Sequence, residues 1–397
     1  MPKTFVFSTY GARGDVFPYL AIARELKRRG HRALVATSEN YRAEIEELGL
    51  EFRAVRPDAP RGQNSQKMMH PVSGTEWLFR GLLLPVLRES IADLNAICVG
   101  ADVLVTHTTS LAGPIVAQLP ENRGLKWVSS AVSPLALLDF DAALPALPRA
   151  ADFPLLNRAI LKILRRQFGM NLKETQRIRA DLGISRGENA LWSDAHSPQL
   201  QLALWSEKFA PISPKSKRKA VGFCFMEARD ALAPDIETFL RGGEAPLVFV
   251  AASFSHSSQW ETESEEAAKQ LGKRAILLGA RGNSVSGSVS GSVLRCEFTP
   301  LDSILPRALA LVHAGGIGTL ALGLRAAAPM LLAPRAHDQF DNARRAVKSG
   351  LARRAKPGNL APQIGALLSD AVLKSRLETA RGEFENGVAR AADELEN

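Results

Sequence analysis

The sequence predicts an α/β protein made of two doubly wound, parallel-sheet domains in tandem, and three observations carry that expectation. Short β-branched runs alternate with helical patterns along nearly the whole chain, as parallel sheet units require. The alternation runs twice, with a basic, proline-containing stretch between the two series. The 397 residues also suit two ordinary domains better than one core.

The first series opens with a strand at residues 4–9 and a helix at 17–29, whose Leu20, Ala23 and Leu26 share a side and whose stop is Gly30. A strand at 32–38 follows, then a helix at 41–48 closed by Gly49 and a strand at 51–55. A long helix in the eighties and nineties and strands at 103–107 and 126–133 complete the unit. Residues 211–220, with Pro211, Pro214 and a basic cluster, read as a linker. The second series has strands at 247–252, 275–279, 293–298, 309–313 and 330–333. The expected division is therefore 1–210, the linker 211–220, and 221–397, with the last helix able to pack back on the first domain. Residues 284–293 repeat Ser, Val and Gly and read as a flexible loop.

Composition narrows the classes of function. Apolar residues make up 46% and charged residues 23%, so there is enough to bury and no general disorder. No apolar run reaches the roughly 18 to 20 residues of a membrane span, and no signal peptide is expected. Cys98, Cys224 and Cys296 lie far apart, which removes disulfide frameworks and thiolate zinc sites and points to a reducing cytoplasm. The net charge of +9 is uneven: residues 149–180 hold eight basic and two acidic residues. Only Phe153 and Phe168 are interleaved there, so nucleic acid is not expected, and an acidic ligand or anionic membrane fits better. Within this stretch Leu155, Leu156, Ala159, Ile160, Ile163 and Leu164 share one helical face, with Arg158, Lys162, Arg165 and Arg166 around it. Such a helix either packs on the sheet with its basic stems snorkelling, or docks on a membrane or acts as a lid. In the docking case the protein is peripheral at the inner membrane face.

The most informative stretch is Leu311-Val-His313-Ala-Gly315-Gly316-Ile-Gly318-Thr319, where a buried strand ends, glycines turn the chain and a helix begins. Glycines let a backbone approach a ligand, and a helix start offers unpaired N–H groups and a positive dipole end, which suits phosphate. Residues 316–321 also fit the dinucleotide fingerprint G-x-G-x-x-A, with Asp338 22 residues beyond Gly316, so a nicotinamide-dependent oxidoreductase is the alternative. In the first series, Gly11-Ala-Arg-Gly14-Asp15-Val-Phe-Pro18 joins strand to helix and sets Asp15 at the sheet's carboxyl edge, as an N-cap, a catalytic group or both. His107 ends a strand on the same edge and reads as a structural histidine, a second base or an acceptor contact. Asp139-Phe-Asp141 is a D-x-D, a pattern that holds a divalent metal in some proteins, but a loop role fits it better.

Together these segments resemble the inverting, metal-independent glycosyltransferases of the two-domain B fold, two Rossmann-like domains with an interdomain cleft. The likeness is nearest to bacterial rhamnosyltransferases, sterol glucosyltransferases and glycopeptide glycosyltransferases. The donor signature is similar to Phe298-Thr-Pro300, His313 to Thr319, Pro329, Pro334 and Asp338-Gln339 with Asn342, and the acceptor-side signature to residues 11–18. The resemblance implies Asp15 as general base. It implies Ser253, His313, Gly315, Gly316, Gly318 and Thr319 around a donor diphosphate, Phe298 against the base, and Asp338 with Gln339 on the sugar. The implied partners are a UDP- or dTDP-sugar and an apolar, hydroxyl-bearing acceptor, with no cofactor and no metal. A homologue that binds nucleotide or lipid without turnover is the third reading, motivated by Ala252, Leu301 and Ala328 where the family has other residues.

Overall fold

The structure is a computed structural model that describes all residues except 59–66, 140, 172, 192, 213–216, 228–231, 252–257 and 280–287. It divides into two compact units, Met1–Met226 with Asn386–Asn397, and Glu227–Glu385.

The first unit is built on seven parallel strands: β1 (Thr4–Ser8), β2 (Arg32–Thr37), β3 (Glu51–Ala54), β4 (Val103–His107), β5 (Lys126–Ala131), β6 (Leu200–Ala203) and β7 (Arg218–Ala220). Their order across the sheet is β3-β2-β1-β4-β5-β6-β7. Successive residues of a strand face opposite sides. Val6, Leu34 and Leu104 accordingly join a buried cluster with Leu87, Ile91 and Leu94 of one helix layer, while Phe7 meets the ring of Tyr19 at 6.3 Å. Tyr19 lies on α1 (Arg13–Arg28), which starts four residues before the expected 17 and carries Pro18 inside it. Pro18 sits where its missing N–H would have bonded Gly14, at a helix start rich enough in turn residues to absorb the loss. Further helices are α2 (Arg42–Glu47), α3 (Leu87–Cys98), α4 (Ala112–Val116), α5 (Pro154–Asn171) and α6 (Lys173–Asp181).

The expected linker is not one: residues 211–220 end in β7, whose Arg218 and Ala220 pair with Gln201 and Ala203 of β6. The second unit has β8 (Leu247–Val250), β9 (Ala275–Leu278), β10 (Ser288–Ser290), β11 (Val293–Cys296), β12 (Ala310–His313), β13 (Met330–Leu332) and β14 (Arg353–Arg354). Their order is β10-β11-β9-β8-β12-β13-β14, parallel except that β10 and β11 form an antiparallel hairpin. The end of the Ser/Val/Gly repeat is thus strand rather than loop, turning at Gly291 with φ +59; residues 284–287 lie outside the described set. Its helices are α7 (Pro234–Arg241), α8 (Ser258–Gln270), α9 (Ile317–Arg325), α10 (Gln339–Lys348), α11 (Leu360–Leu368) and α12 (Ala371–Ala380).

The last helix, α13 (Val388–Glu396), belongs to the first unit. Arg29 at the end of α1 bonds Asp393 at 2.6 Å and also Glu396, and His31 Nε2 lies 2.7 Å from Glu396. Glu396 is held below the usual carboxylate range by His31, and by Arg29 beside it.

Candidate active site

In open α/β sheets ligands bind at the carboxyl edge where the strand order reverses. In the first sheet that point lies between β1 and β4. Asp15 follows β1 and His107 ends β4, so the topology sets both beside it. In the second sheet the reversal lies between β8 and β12. His313 ends β12, and Ser253 follows β8 among the residues outside the described set.

Asp15 is not the N-cap of α1. Ala12 holds that place, and Asp15 stands three residues on, where its Oδ2 accepts the Ala12 N–H at 2.9 Å. Its backbone carbonyl accepts from Thr9 Oγ1 at 2.9 Å. A Cβ on Gly11 would stand 2.3 Å from Asp15 Oδ2, and Gly11 has φ +146, so glycine is required directly against the carboxylate. Tyr41 steadies that glycine by donating its hydroxyl to Gly11 O at 3.0 Å. The carboxylate itself is half-buried.

His107 is buried. Its Nδ1 lies 2.6 Å from Thr109 Oγ1, and that hydroxyl gives its proton to Tyr10 O at 2.6 Å. The Thr109 oxygen therefore accepts, so Nδ1 carries the imidazole proton. Burial pushes His107 down to about 4. It is a neutral ring wedged against Tyr19, 5.8 Å between centroids. That setting is structural; of the two candidate bases, Asp15 is the one a ligand can reach.

In the second unit the glycine turn and the loop after β13 are fastened together. Asn342 Nδ2 donates to Gly315 O at 3.0 Å and to Asp338 Oδ2 at 2.7 Å. Gly315 has φ +88, and a Cβ there would press to 3.2 Å from Gln339 O. Asp338 is the residue before α10, and Gln339 Oε1 accepts the N–H groups of Arg335 and Ala336 at 2.9 and 3.0 Å. Only the amide nitrogen of Gln339 is left to serve a ligand. His313, Gly315, Asp338 and Gln339 are thereby brought to one place.

His313 accepts the Gly315 N–H on Nδ1 at 3.1 Å, so its proton is on Nε2. That nitrogen is buried and has no hydrogen-bond partner among the described residues. Burial pushes His313 down to about 3, which keeps it neutral. Gly316 caps α9 with no side-chain bond, and Thr319 stands in the first turn, where N–H groups have no intrahelical partner. Gly316 has an ordinary backbone, φ −59 and ψ 139, and a Cβ there would meet nothing within 4 Å among the described residues. None of those residues requires glycine at 316.

Phe298 follows β11 on the same edge, half-exposed, three strands from β12. The dinucleotide fingerprint loses its context: its turn follows the strand β12 rather than the first strand of its unit, and Asp338 opens α10 instead of closing a strand. The D-x-D is occupied differently too. Both oxygens of Asp139 bind Arg218 Nη1, at 2.9 and 2.8 Å, and among the described residues no three metal-ligating side chains gather. Sequence reasoning missed Thr109 and gave no role to Asn342. The first had a local signal, a hydroxyl two residues past a histidine; the second acts across 27 residues.

Residues 5–80 match the model of the glycosyltransferase family 28 N-terminal domain. The chain is 27% identical over 369 residues to an O-mycaminosyltylonolide 6-deoxyallosyltransferase of Streptomyces fradiae, covering 88% of this chain and 84% of that one. It is 27% identical over 414 residues to a sterol 3-beta-glucosyltransferase of Arabidopsis thaliana, covering 96% and 66%. An uncharacterized glycosyltransferase of Mycobacterium tuberculosis shares 26% over 347 residues, covering 83% and 81%. Among solved structures, the glycotransferase of kitacinnamycin superposes with a TM-score of 0.72 at 23% identity, over 100% of this chain and 98% of that one. A spinosyn rhamnosyltransferase complexed with thymidine diphosphate superposes at 0.68 and 15% identity, over the whole of both chains. With two parallel-sheet units and this set of relatives, the chain is a glycosyltransferase of the two-domain B-fold type.

Proposed function

We propose that the protein transfers a sugar, with inversion, from a UDP- or dTDP-sugar to a hydroxyl of an apolar small molecule or lipid. The observation that carries this is the buried Nε2–H of His313, without a partner among the described residues, beside a start of α9 that has no side-chain cap. A buried donor left unpaired costs about 1 to 3 kcal/mol, so its retention suits a ligand that supplies the acceptor. A diphosphate does so: its charge meets the helix dipole and N–H groups of the first turn, with the Thr319 hydroxyl beside them. Ser253 adds a further phosphate contact, Phe298 lies against the base, and Asp338 with the Gln339 amide nitrogen binds the sugar.

Asp15 accepts the proton of the acceptor hydroxyl as that oxygen attacks the anomeric carbon. The bond from that carbon to the diphosphate breaks, and the charge left on phosphate is stabilised by the dipole and by His313. The residues present supply both roles without a metal ion. The relatives act on a tylonolide and on a sterol by their names, which supports an apolar acceptor here.

Gly316 gives the sharpest test, because a side chain there meets none of the described residues and occupies the space a phosphate needs. Gly316→Val is expected to lower the melting temperature only modestly, since valine is a poorer N-cap than glycine, and to lose binding of UDP and dTDP in calorimetric titration. Undiminished nucleotide affinity in this variant would remove the phosphate assignment.

A further inference from the structure

Of the two orientations open for α5, the structure shows neither a fully packed nor a fully outward apolar face: Ile160 and Leu164 are half-buried. Asn157 and Leu161 face the protein and are fully buried, with Arg165 next along the same line. Asn157 Nδ2 donates to Ala142 O at 3.0 Å, and Arg165 Nη2 to Leu138 O at 2.7 Å. These two bonds satisfy carbonyls of the loop beneath and fix the rotation of the helix. The outer part of the apolar stripe consequently faces out. Leu155 is 86% exposed, Ile163 66% and Leu156 54%, and Phe153, just before the helix, is 63% exposed. At about 100° per residue, Leu155, Ala159 and Ile163 form one continuous line with Leu156 alongside. Lys162 and Arg166 stand exposed on the flank of that line. From residue 153 to residue 173 the chain has no acidic residue.

We infer that this face of α5 docks on an anionic lipid surface. Apolar side chains beside cations, on a helix lying along a protein surface, match the boundary between anionic headgroups and acyl chains. The charge complementarity is one-sided along the helix: between Asp152 and Glu174 the chain carries cations and no acid that such a surface would repel. A protein partner fits less well. Stable protein interfaces bury about 800 Å² per side, drawn from some 20 to 30 residues, and one helix stripe with one phenylalanine falls short of that. A bilayer sets no such minimum. The inference does not depend on the role of Asp15 or of the glycine turn.

The experiment is co-sedimentation of the whole protein with phosphatidylcholine vesicles, with and without phosphatidylglycerol. Binding is expected to the anionic vesicles, weakening as salt is raised. Leu155→Ser with Ile163→Ser should lower the partition about tenfold or more, as should Lys162→Glu with Arg166→Glu. All four positions are exposed, so melting temperatures should stay at the wild-type value, as should transfer to a water-soluble acceptor. A wild-type protein that stays in the supernatant with anionic vesicles at low salt overturns the inference. So do variants that sediment as wild type does. Lipid-independent self-association, seen as a concentration-dependent mass and abolished by the Leu155/Ile163 pair, would assign the face to a second copy instead.

Discussion

In the proposed mechanism the Asp15 carboxylate would have two jobs, a structural one and a catalytic one. Its Oδ2 closes the first turn of α1 by accepting the Ala12 N–H, and Asn offers an oxygen for the same bond. Asp15→Asn is therefore expected to shift the melting temperature little. Asn takes up no proton, so kcat should fall about 10² to 10⁴-fold, the usual worth of general-base catalysis. Steady-state kinetics beside a melting curve decide it: near-normal kcat leaves Asp15 with the structural job alone. Asp139 supports a second prediction at this scale. With both its oxygens on Arg218, turnover should persist in EDTA, and a loss restored by manganese or magnesium would reverse the metal-independent scheme.

Elements differ in how much of them could be read in advance. The central strands β1, β4, β8 and β12 are short, mostly apolar and largely buried runs, and such runs are found from the sequence alone. The outer strands β6, β7 and β14, at or next to the sheet edges, are two to four residues with polar positions, such as Arg353–Arg354, and only their hydrogen bonds define them. For α5 the spacing was legible and the rotation was not. Which side faces in was decided by Asn157 and Arg165 bonding loop carbonyls, an outcome that apolar periodicity does not encode. The glycine turn was legible because glycines are conspicuous; what holds it against α10 was not. Asn342 is that fastener, and Asn342→Ala removes two bonds and leaves Gly315 O without its amide partner. The expected cost is about 1 to 3 kcal/mol of stability. Nucleotide affinity should weaken as the turn loosens, with kcat at saturation changed less. Unaltered affinity would show that the turn holds its shape unaided.

At the scale of the whole molecule, three histidines among the described residues are kept uncharged by burial: His107 and His196 at about 4 and His313 at about 3, against the ordinary 6.5. A histidine depressed on folding binds its proton more readily in the unfolded chain. Its contribution to stability is present above about pH 6.5 and is lost as the pH falls toward 4 and 3. Melting temperatures are accordingly expected to decline steadily from pH 7 to pH 5. A flat profile over that range would mean that water or charge reaches these rings.

The chain leaves the first unit after Met226 and returns at Asn386. Phe225 and Asn386 exchange hydrogen bonds in both directions, at 3.1 Å each. Residues 227–385 thus form an insert whose two ends leave from one point of its host. For anyone recombining such enzymes, the second unit is a cassette with two splice points, 226/227 and 385/386. A chimaera made with one crossover would import a foreign α13, whose Asp393 and Glu396 must meet Arg29 and His31. A chimaera made with both keeps the host's own fastening and exchanges the glycine turn whole.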